Sequence, residues 1–453
     1  MWNILSQSSG GLRLDSCKAM KITIHRGNQI GGCITEIESS KGTRIVIDLG
    51  HNLPKGDKES DDEYASDKAV ADLLGDAKAV FYTHIHGDHI GLFQYVPDEI
   101  DQFIGPLAHD MVTAKYSHMA NADELKENSL KCLRKLELFK KYRKGCPVVI
   151  DDITVTPFQV SHSAADSYML KVKCDGKVVL HTGDFRGHGY MGEGIYKVID
   201  KYHIAGNVDV LITEGTNVDG NGKSMRRESV LKDEFKDVFR QYKNTLIICS
   251  SADADRLETI YGANMESAKR PFIVDSYQKK QIRLINKQAE EGNLLYHFDL
   301  DKIYSYNPSV EKMRYMMMKY GFVMLVRPSV KFQSYLDKIL QECKPEETCL
   351  AYSQFHGYID NRDGNTAFNQ KLYDFVNQFR ERGCAVKENL HTSGHASKQD
   401  LVRLCEQVNP RLIVPIHKDE KSDFASILPE ALKTRVCEYD YSGNDIDIVF
   451  DMH

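Results

Sequence analysis

The sequence predicts an α/β protein in which one domain is inserted into another. Between residues 20 and 218, short apolar strands end repeatedly in histidine or acidic residues, as in a sheet that carries functional groups at one edge. From residue 219 to 388, strands alternate with helical stretches, and such alternation is typical of a parallel sheet. A strand that ends in His417 then resumes the first pattern, so we place residues 389–453 in the first domain.

Composition and charge set the broad class. The chain has 453 residues, 42% of them hydrophobic, a formal net charge of -6 and 11 cysteines. This length allows two or three domains, and the hydrophobic share is ordinary for a soluble protein. The acidic balance gives no general attraction to nucleic acid, although a local basic surface can provide it. Because the cysteines never form a Cys-x-x-Cys pair, we expect a reducing compartment and a cytoplasmic location.

The first residues do not look like a targeting segment. Residues 1–19 contain several serines and glycines and precede the first strand-like run. They lack the apolar stretch of a secretory signal, so we expect a flexible N-terminal extension. No stretch of the sequence reaches the roughly 18 apolar residues of a membrane span, and no membrane association is expected.

The early elements lead towards a cluster of histidines. Short apolar strands are predicted at residues 20–24, 32–37, 44–48 and 79–82. Asp48 ends the third of these strands, where its carboxylate either orients a metal ligand or serves a turn. A long helix is predicted between residues 121 and 145, with a basic later part. This basic part is either an ordinary solvated helix face or a surface that meets phosphates.

The densest cluster of reactive side chains follows the strand at 79–82. His84, His86, Asp88 and His89 place four potential metal ligands within six residues. A loop can aim several side chains at one point, whereas a straight strand cannot, because alternate residues face opposite sides. Imidazoles and a carboxylate form a ligand set that suits zinc. The spacing therefore favours a metal site over a loop that is merely rich in histidine.

Later strand ends supply further candidates. His162, Asp184, Glu214 and His417 each follow a predicted strand, and strand ends on one edge of a sheet can collect ligands on a rigid scaffold. Seven residues could thus form a centre for two metal ions: His84, His86, Asp88, His89, His162, Asp184 and His417. Two metals can share a water, lower its pKa and hold the oxygens of a phosphoryl transfer.

These motifs resemble a known family. His84-x-His86-x-Asp88-His89 with the later His162, Asp184 and His417 is similar to the metallo-β-lactamase fold. The inserted region and the segments 213–216, 393–397 and 415–417 resemble the β-CASP branch of nucleases, and within it the ribonuclease J family, over about residues 20–435. The resemblance implies an αββα metallo-β-lactamase sandwich with an inserted parallel-sheet α/β β-CASP domain at 219–388.

The resemblance also implies an activity. Members of the family bind two zinc ions, with Mn²⁺ as an alternative, and hydrolyse RNA phosphodiester bonds with a metal-activated water. They act as 5′-to-3′ exonucleases and sometimes as endonucleases. His84, His86 and His162 would hold one ion, Asp88, His89 and His417 the other, and Asp184 would bridge them. RNA is the expected substrate, since DNA-repair members usually carry valine at the position of His417.

Further roles follow from matching positions. Asp88 is a catalytic candidate as well as a ligand. His395 would protonate the leaving oxygen or hold the scissile phosphate, and Glu214 would orient a ligand or that histidine. Ser393, Gly394 and Ala396 form a turn with His395 before a helix, and this turn either holds a phosphate or is a plain helix cap.

The chain departs from the family in two places. Lys418 follows His417 where the family usually has glycine, and the sequence ends at His453. We therefore expect the family's extra C-terminal domain to be absent, which leaves a homodimer open because that domain is linked to oligomerisation. The alternatives are a metallo-hydrolase acting on DNA or on a small ester or thioester, and a non-catalytic RNA-binding subunit. The inserted region argues against the small ester, and the seven ligands argue against lost catalysis.

Overall fold

The computed structural model describes residues 3–5, 20–27, 29–54, 62–121, 126–220, 225–292, 296–437 and 445–450. Helices and strands in these residues build three sheets, which confirms the predicted α/β class. No helix in this part of the chain combines the length and apolar character that a membrane span requires.

The elements of the described residues are as follows, in chain order. The strands are β1 (Asn3–Leu5), β2 (Met20–His25), β3 (Ile34–Glu38), β4 (Arg44–Leu49), β5 (Ala79–Phe81), β6 (Asp101–Ile104), β7 (Lys140–Lys141), β8 (Val148–Ile150), β9 (Ile153–Val160), β10 (Ser167–Cys174), β11 (Lys177–His181), β12 (Val210–Glu214), β13 (Asn244–Ile248), β14 (Phe272–Val274), β15 (Ile303–Ser305), β16 (Phe322–Val326), β17 (Thr348–Tyr352), β18 (Ala385–Lys387), β19 (Leu412–Ile416) and β20 (Asp445–Phe450). The α-helices are α1 (Asp67–Leu74), α2 (Gly87–Ile90), α3 (Pro106–Met119), α4 (Lys126–Glu137), α5 (Gly194–Lys201), α6 (Glu228–Gln241), α7 (Ala254–Glu266), α8 (Ser276–Gly292), α9 (Glu311–Tyr320), α10 (Val330–Leu340), α11 (Gln370–Glu381), α12 (Lys398–Val408) and α13 (Glu430–Lys433).

Two sheets pack face to face around the main core. The first has the order β1-β20-β2-β3-β4-β5-β6-β7, and the second has the order β19-β12-β11-β10-β9-β8. Alternate side chains of each strand point inward, and the two inner faces meet through buried residues such as Ile45, Phe81, Val172 and Ile212. Helices α1, α3 and α4 cover the outer face of the first sheet, and α5 and α12 cover the second. The layers are therefore αββα, as predicted.

The third sheet is parallel throughout and belongs to the inserted region. Its order is β15-β14-β16-β13-β17-β18, with a hydrophobic cluster on each face. Strands β12 and β19 pair in parallel, with Glu214 opposite Ile416, although the whole third sheet lies between them in sequence. The chain thus leaves the second sheet after β12 and returns beside the same strand. The boundaries at residues 219 and 388 stay predictions.

Two expectations differ from the structure. Asn3–Leu5 pairs with β20 at the edge of the first sheet, so these residues are not a flexible extension; residues 1–2 and 6–19 lie outside the described part. The prediction of a single helix between residues 121 and 145 is also wrong, because α4 ends at Glu137 and the strand Lys140–Lys141 pairs with β6. The physical reason is Phe139, whose buried ring stacks on Tyr82 at 5.6 Å and draws the chain onto the sheet.

The basic stretch at the end of this segment is engaged in ion pairs. Lys131 Nζ lies 2.8 Å from Asp67 Oδ1, and Lys141 Nζ lies 2.7 Å from Asp110 Oδ1. Both pairs are largely exposed and contribute little stability. Because nearby carboxylates offset these charges, the geometry favours the solvated helix face over a phosphate-binding surface.

Candidate metal centre

The ligand candidates stand after strands of both sheets. The loop after β5, a strand buried on both faces, carries His84 and His86 and turns into the short helix α2, which carries Asp88 and His89. The other three candidates follow β9, β11 and β19. His417 adopts a φ of 49°, a conformation that is rare outside glycine and concentrated at functional sites.

The first group of ligands has the spacing of a metal site. His86 Nδ1 lies 3.1 Å from His84 Nε2 and 3.0 Å from His162 Nε2. Asp184 Oδ2 lies 3.9 Å and 3.8 Å from the same two Nε2 atoms. Bond lengths of ~2.0–2.1 Å in a tetrahedral site place ligand atoms ~3.3 Å apart. The three histidine nitrogens therefore form one compact group, and the Asp184 oxygen lies within 3.9 Å of two of them.

A second group shares the same carboxylate oxygen. Asp184 Oδ2 lies 3.1 Å from His89 Nε2 and 3.9 Å from His417 Nε2. Asp88 Oδ2 lies 3.2 Å from His417 Nε2 and 4.0 Å from His89 Nε2. Asp184 Oδ2 thus lies between the two groups, and its role as a bridging ligand stays a prediction. All seven predicted ligands converge on one region.

The donor set fits a bound cation. His89 Nε2 and Asp184 Oδ2 are buried and lie 3.1 Å apart, yet neither makes a hydrogen bond within the described residues, and buried polar atoms are almost always satisfied. Burial raises the pKa of the Asp184 carboxyl, but His417, His89 and His395 outweigh it and hold that pKa well below its ordinary value. Burial, with the neighbouring His89, lowers the pKa of His84 well below its ordinary value, which keeps the lone pair of that imidazole available. These groups present charge and lone pairs that a metal ion would satisfy.

Asp48 makes contacts that favour the orienting role over turn chemistry. Its Oδ2 accepts a hydrogen bond from Thr83 Oγ1 at 2.7 Å and lies 2.7 Å from His89 Nδ1. Its Oδ1 accepts a hydrogen bond from the Thr83 amide at 2.7 Å. A carboxylate on Nδ1 fixes the tautomer that presents Nε2 to a metal. Asp48 has a φ of 58°, so its backbone is held in a conformation that few non-glycine residues adopt.

Glu214 and His395 form a pair beside the shared carboxylate. His395 Nδ1 lies 3.1 Å from Glu214 Oε2 and 3.5 Å from Asp184 Oδ2. Glu214 Oε1 also accepts hydrogen bonds from the amides of Phe185 at 3.0 Å and Ala396 at 3.1 Å. Burial lowers the pKa of His395, but the charges of Glu214 and Asp184 outweigh it and raise that pKa to about 9. The His395 side chain is 22% exposed, whereas that of Glu214 is buried.

The turn from Ser393 to Ala396 is not the helix cap. The cap of α12 is Ser397, whose hydroxyl accepts a hydrogen bond from the Asp400 amide at 3.1 Å. The phosphate-binding prediction also needs correction, because the amide of His395 donates to Ser393 Oγ at 3.1 Å and that of Ala396 donates to Glu214. These two amides are already paired, so a phosphate role is left to the side chains of Ser393 and His395. Gly394 is needed for close packing, since a Cβ there would lie 2.2 Å from Ser163 Oγ.

Several contacts at the centre were not predicted from the sequence. Thr216 Oγ1 lies 2.7 Å from His417 Nδ1, and His162 Nδ1 donates to the Gly394 carbonyl at 2.6 Å. Cys33 groups with His89 and His417. Thr216 could have been found only from its place in the motif at 213–216. Cys33 lies in an ordinary apolar strand pattern, so the sequence held no signal for its position at the centre.

Comparisons with known proteins agree with the fold. The metallo-β-lactamase superfamily model matches residues 34–216. The model described as the RNA specificity domain of Zn-dependent metallo-hydrolases matches residues 374–436. The two matches together span both sequence segments of the sandwich and the end of the inserted region.

Individual relatives extend the similarity over most of the chain. Ribonuclease J of Helicobacter pylori (strain B128) is 24% identical over 420 residues, covering 90% of this chain and 57% of that protein. Ribonuclease J of Mycobacterium tuberculosis (strain ATCC 25618 / H37Rv) is 22% identical, covering 90% of this chain and 69% of the relative. Ribonuclease J of Methanocaldococcus jannaschii is 20% identical, covering 88% and 91%. The chain thus spans little more than half the length of the Helicobacter relative.

A solved structure shares the fold. A crystal structure of a protein of unknown function from Enterococcus faecalis V583 superposes with a TM-score of 0.68 at 16% identity, covering 95% of this chain and 100% of that one. The fold and the family models agree: residues 34–216 match the metallo-β-lactamase superfamily, and the chain as a whole resembles β-CASP nucleases of the ribonuclease J type.

Proposed function

We propose that this protein is a metal-dependent ribonuclease that hydrolyses phosphodiester bonds in RNA. The observation that carries the proposal is the Asp184 carboxylate oxygen, which lies within 3.9 Å of ligand atoms from both groups and 3.5 Å from His395. RNA as the substrate class is supported by the match to an RNA specificity domain and by the ribonuclease J relatives.

The residues of the centre have different proposed roles in hydrolysis: some would bind the metal ions, and others orient the ligands. Metal ions bound by the seven ligands would act as Lewis acids, lower the pKa of water towards ~7 and hold the oxygens of the phosphodiester. Asp48 and Thr216 hold the Nδ1 sides of His89 and His417, so that both rings present Nε2 to the site. This prior orientation reduces the reorganisation needed in the transition state.

His395 is the proposed proton donor. Glu214 occupies its Nδ1 side at 3.1 Å, which leaves Nε2 for the substrate. Glu214 also stabilises the protonated ring, because its buried carboxylate lies next to it. A proton delivered from Nε2 to the departing oxygen would neutralise the charge that develops there.

The finer points of the proposal rest on the family resemblance. We propose two Zn²⁺ ions as the cofactors, with Mn²⁺ as a substitute, and 5′-to-3′ exonuclease action. A cytoplasmic location is supported by the free thiols of the cysteines in the described residues. A homodimer stays a prediction.

The proposal is tested with single-stranded RNA that carries a 5′ label. The purified protein is incubated with Zn²⁺ or Mn²⁺ and with RNA ending in a 5′-monophosphate, a 5′-triphosphate or a 5′-hydroxyl, beside DNA of the same sequence. A 5′-to-3′ exonuclease releases the label first as a mononucleotide. His84→Ala should abolish cleavage, and His297→Ala, which alters an exposed histidine on the inserted domain, should retain it. Cleavage of DNA or of an ester without cleavage of RNA would contradict the proposal.

A further inference from the structure

A cysteine lies directly beside the second ligand group. Cys33 Sγ, one nitrogen of His89 and one nitrogen of His417 all lie within 4.8 Å of one another. Among the described residues, Cys33 is the one cysteine that belongs to such a group. Its side chain is buried, with 6% exposure, and it is a free thiol.

The backbone fixes Cys33 against the segment that carries two of the ligands. The Cys33 amide donates to the Asp88 carbonyl at 2.9 Å, and the Cys33 carbonyl accepts from the Gly50 amide at 3.1 Å. Packing at this point is close, since a Cβ on Gly50 would lie 1.7 Å from the Asp88 carbonyl oxygen. The Cys33 backbone therefore holds a defined position relative to the segment that carries Asp88 and His89.

A second observation shows that this position calls for a ligand. His89 Nε2 is buried and, although Asp184 Oδ2 lies 3.1 Å away, makes no hydrogen bond within the described part of the chain. Its other ring nitrogen is taken by Asp48 at 2.7 Å, so Nε2 is the atom that faces the centre. Two imidazole nitrogens and a buried thiol within one such group are a donor combination that suits zinc.

We propose that Cys33 is a further metal ligand, which coordinates the ion held by His89 and His417 through a thiolate sulfur. This inference rests on the proposed metal-dependent function. With a Zn–S bond of ~2.3 Å and Zn–N bonds of ~2.0–2.1 Å, sulfur and nitrogen lie ~3.6 Å apart in a tetrahedral site. Side-chain rotations that move the ligand atoms by about 1 Å would bring them from the 4.8 Å limit to this spacing. On binding, the thiol releases its proton to solvent and the sulfur lone pair forms the bond to the metal.

The extra ligand has a consequence for metal choice. A soft thiolate favours zinc, whereas an all-oxygen and imidazole set also suits manganese. A cysteine in the second group therefore biases this centre towards zinc. Cys33→Ser should narrow the difference between the Zn²⁺ and Mn²⁺ affinities.

Cobalt is a direct probe of this coordination. Protein freed of metal by a chelator is titrated with Co²⁺, because a cobalt–thiolate bond gives an intense near-ultraviolet charge-transfer band that imidazole and carboxylate do not give. The band should form in the wild type and disappear in Cys33→Ser. It should persist in Cys405→Ser, which alters a buried cysteine on α12 outside the ligand groups. The Zn²⁺ affinity of Cys33→Ser, measured by chelator competition, should fall at least ~10-fold.

Two results would overturn the proposal: a wild-type protein that binds Co²⁺ without the band, or a Cys33→Ser protein that keeps it. Should Cys33→Ser fail to fold, the cadmium NMR spectrum of the wild type decides, because a resonance outside the range of thiolate ligation excludes the sulfur. None of these measurements involves RNA, so failure of the ligand assignment and failure of the ribonuclease proposal give separate results.

Discussion

Arg186 Nη2 donates to Asp255 Oδ2 at 2.8 Å and thereby joins the two domains next to the metal centre. Arg186 follows the loop that carries Asp184, whereas Asp255 lies in the first turn of α7 in the inserted domain. The same Asp255 oxygen accepts a hydrogen bond from Ser161 Oγ at 3.1 Å, beside His162. One buried carboxylate of the inserted domain therefore contacts both the loop that carries His162 and the loop that carries Asp184.

Asp255→Asn should weaken metal binding as well as stability. Breaking a buried ion pair costs ~3–5 kcal/mol, and we expect about 1–3 kcal/mol here because Asp253 Oδ1 still lies 2.8 Å from Arg186 Nη2. The loops of His162 and Asp184 lose a common anchor, so Zn²⁺ affinity should fall. Thermal unfolding of the metal-free protein and chelator competition measure the two effects.

The matched control is Asp275→Asn. Asp275 pairs with Arg327 at 2.6 Å within the inserted domain and touches neither ligand loop. It should lower stability and leave the Zn²⁺ affinity unchanged. Equal Zn²⁺ affinity in Asp255→Asn and wild type would refute the anchoring role.

Asp48→Asn should lower the Zn²⁺ affinity by roughly 10–100-fold, the usual effect of removing the partner of a ligating histidine. The asparagine can no longer hold the His89 Nδ1–H with a negative charge, so Nε2 is a weaker donor. Chelator competition gives the affinity, and circular dichroism of the metal-free protein checks the fold. An unchanged Zn²⁺ affinity would favour the alternative that Asp48 only stabilises a turn.

His395→Ala should lower kcat by roughly 10²–10⁴-fold, the usual contribution of a general acid. Metal content should stay at the wild-type level, because the seven ligands do not include His395. Its Nδ1 lies 3.5 Å from Asp184 Oδ2, however, and His395 also forms a potential ligand group with His162 and Asp184. Loss of a metal ion in His395→Ala would make it a ligand rather than a proton donor. Glu214→Gln should show a smaller loss of kcat with the same metal content.

Glu258 on α7 should make stability fall as pH rises. Burial raises the pKa of its carboxyl to about 7 from an ordinary value near 4.5, although the His297 amide partly opposes this shift. Between these two values the folded protein binds more protons than the unfolded chain, so the loss of stability develops across this window and is complete above it. At 1.36 kcal/mol per unit, the cost is about 3 kcal/mol.

Glu258→Gln removes this cost. Urea unfolding should show the variant to be more stable than the wild type at pH 8, with little difference at pH 4. Glu266→Gln on the same helix is the control: its hydrogen bonds with Lys232 and Lys236 lower the pKa of Glu266, so it should not gain stability at pH 8. A gain for Glu258→Gln that is the same at both pH values would contradict the assignment.

Local patterns in the sequence were sufficient for much of the fold. The apolar run Ala79–Phe81 predicted a buried strand, and the structure contains it with all three residues buried. The helix expected between 121 and 145 failed, because helical spacing does not reveal that Phe139 packs on the sheet. Pattern arguments work where the neighbours in sequence are also the neighbours in space.

The sequence by itself determined the identity of the ligand candidates and the order in which strands deliver them. The cluster from His84 to His89 is local, and motif spacing is enough to recognise it. Only the tertiary structure decided which other residues lie against those ligands. Asp48 contacts His89, Asp255 contacts the Ser161–His162 loop, and Cys33 lies beside the second group. These contacts join residues that are distant in sequence, and their geometry depends on how two sheets and an inserted domain pack together, which no local periodicity records.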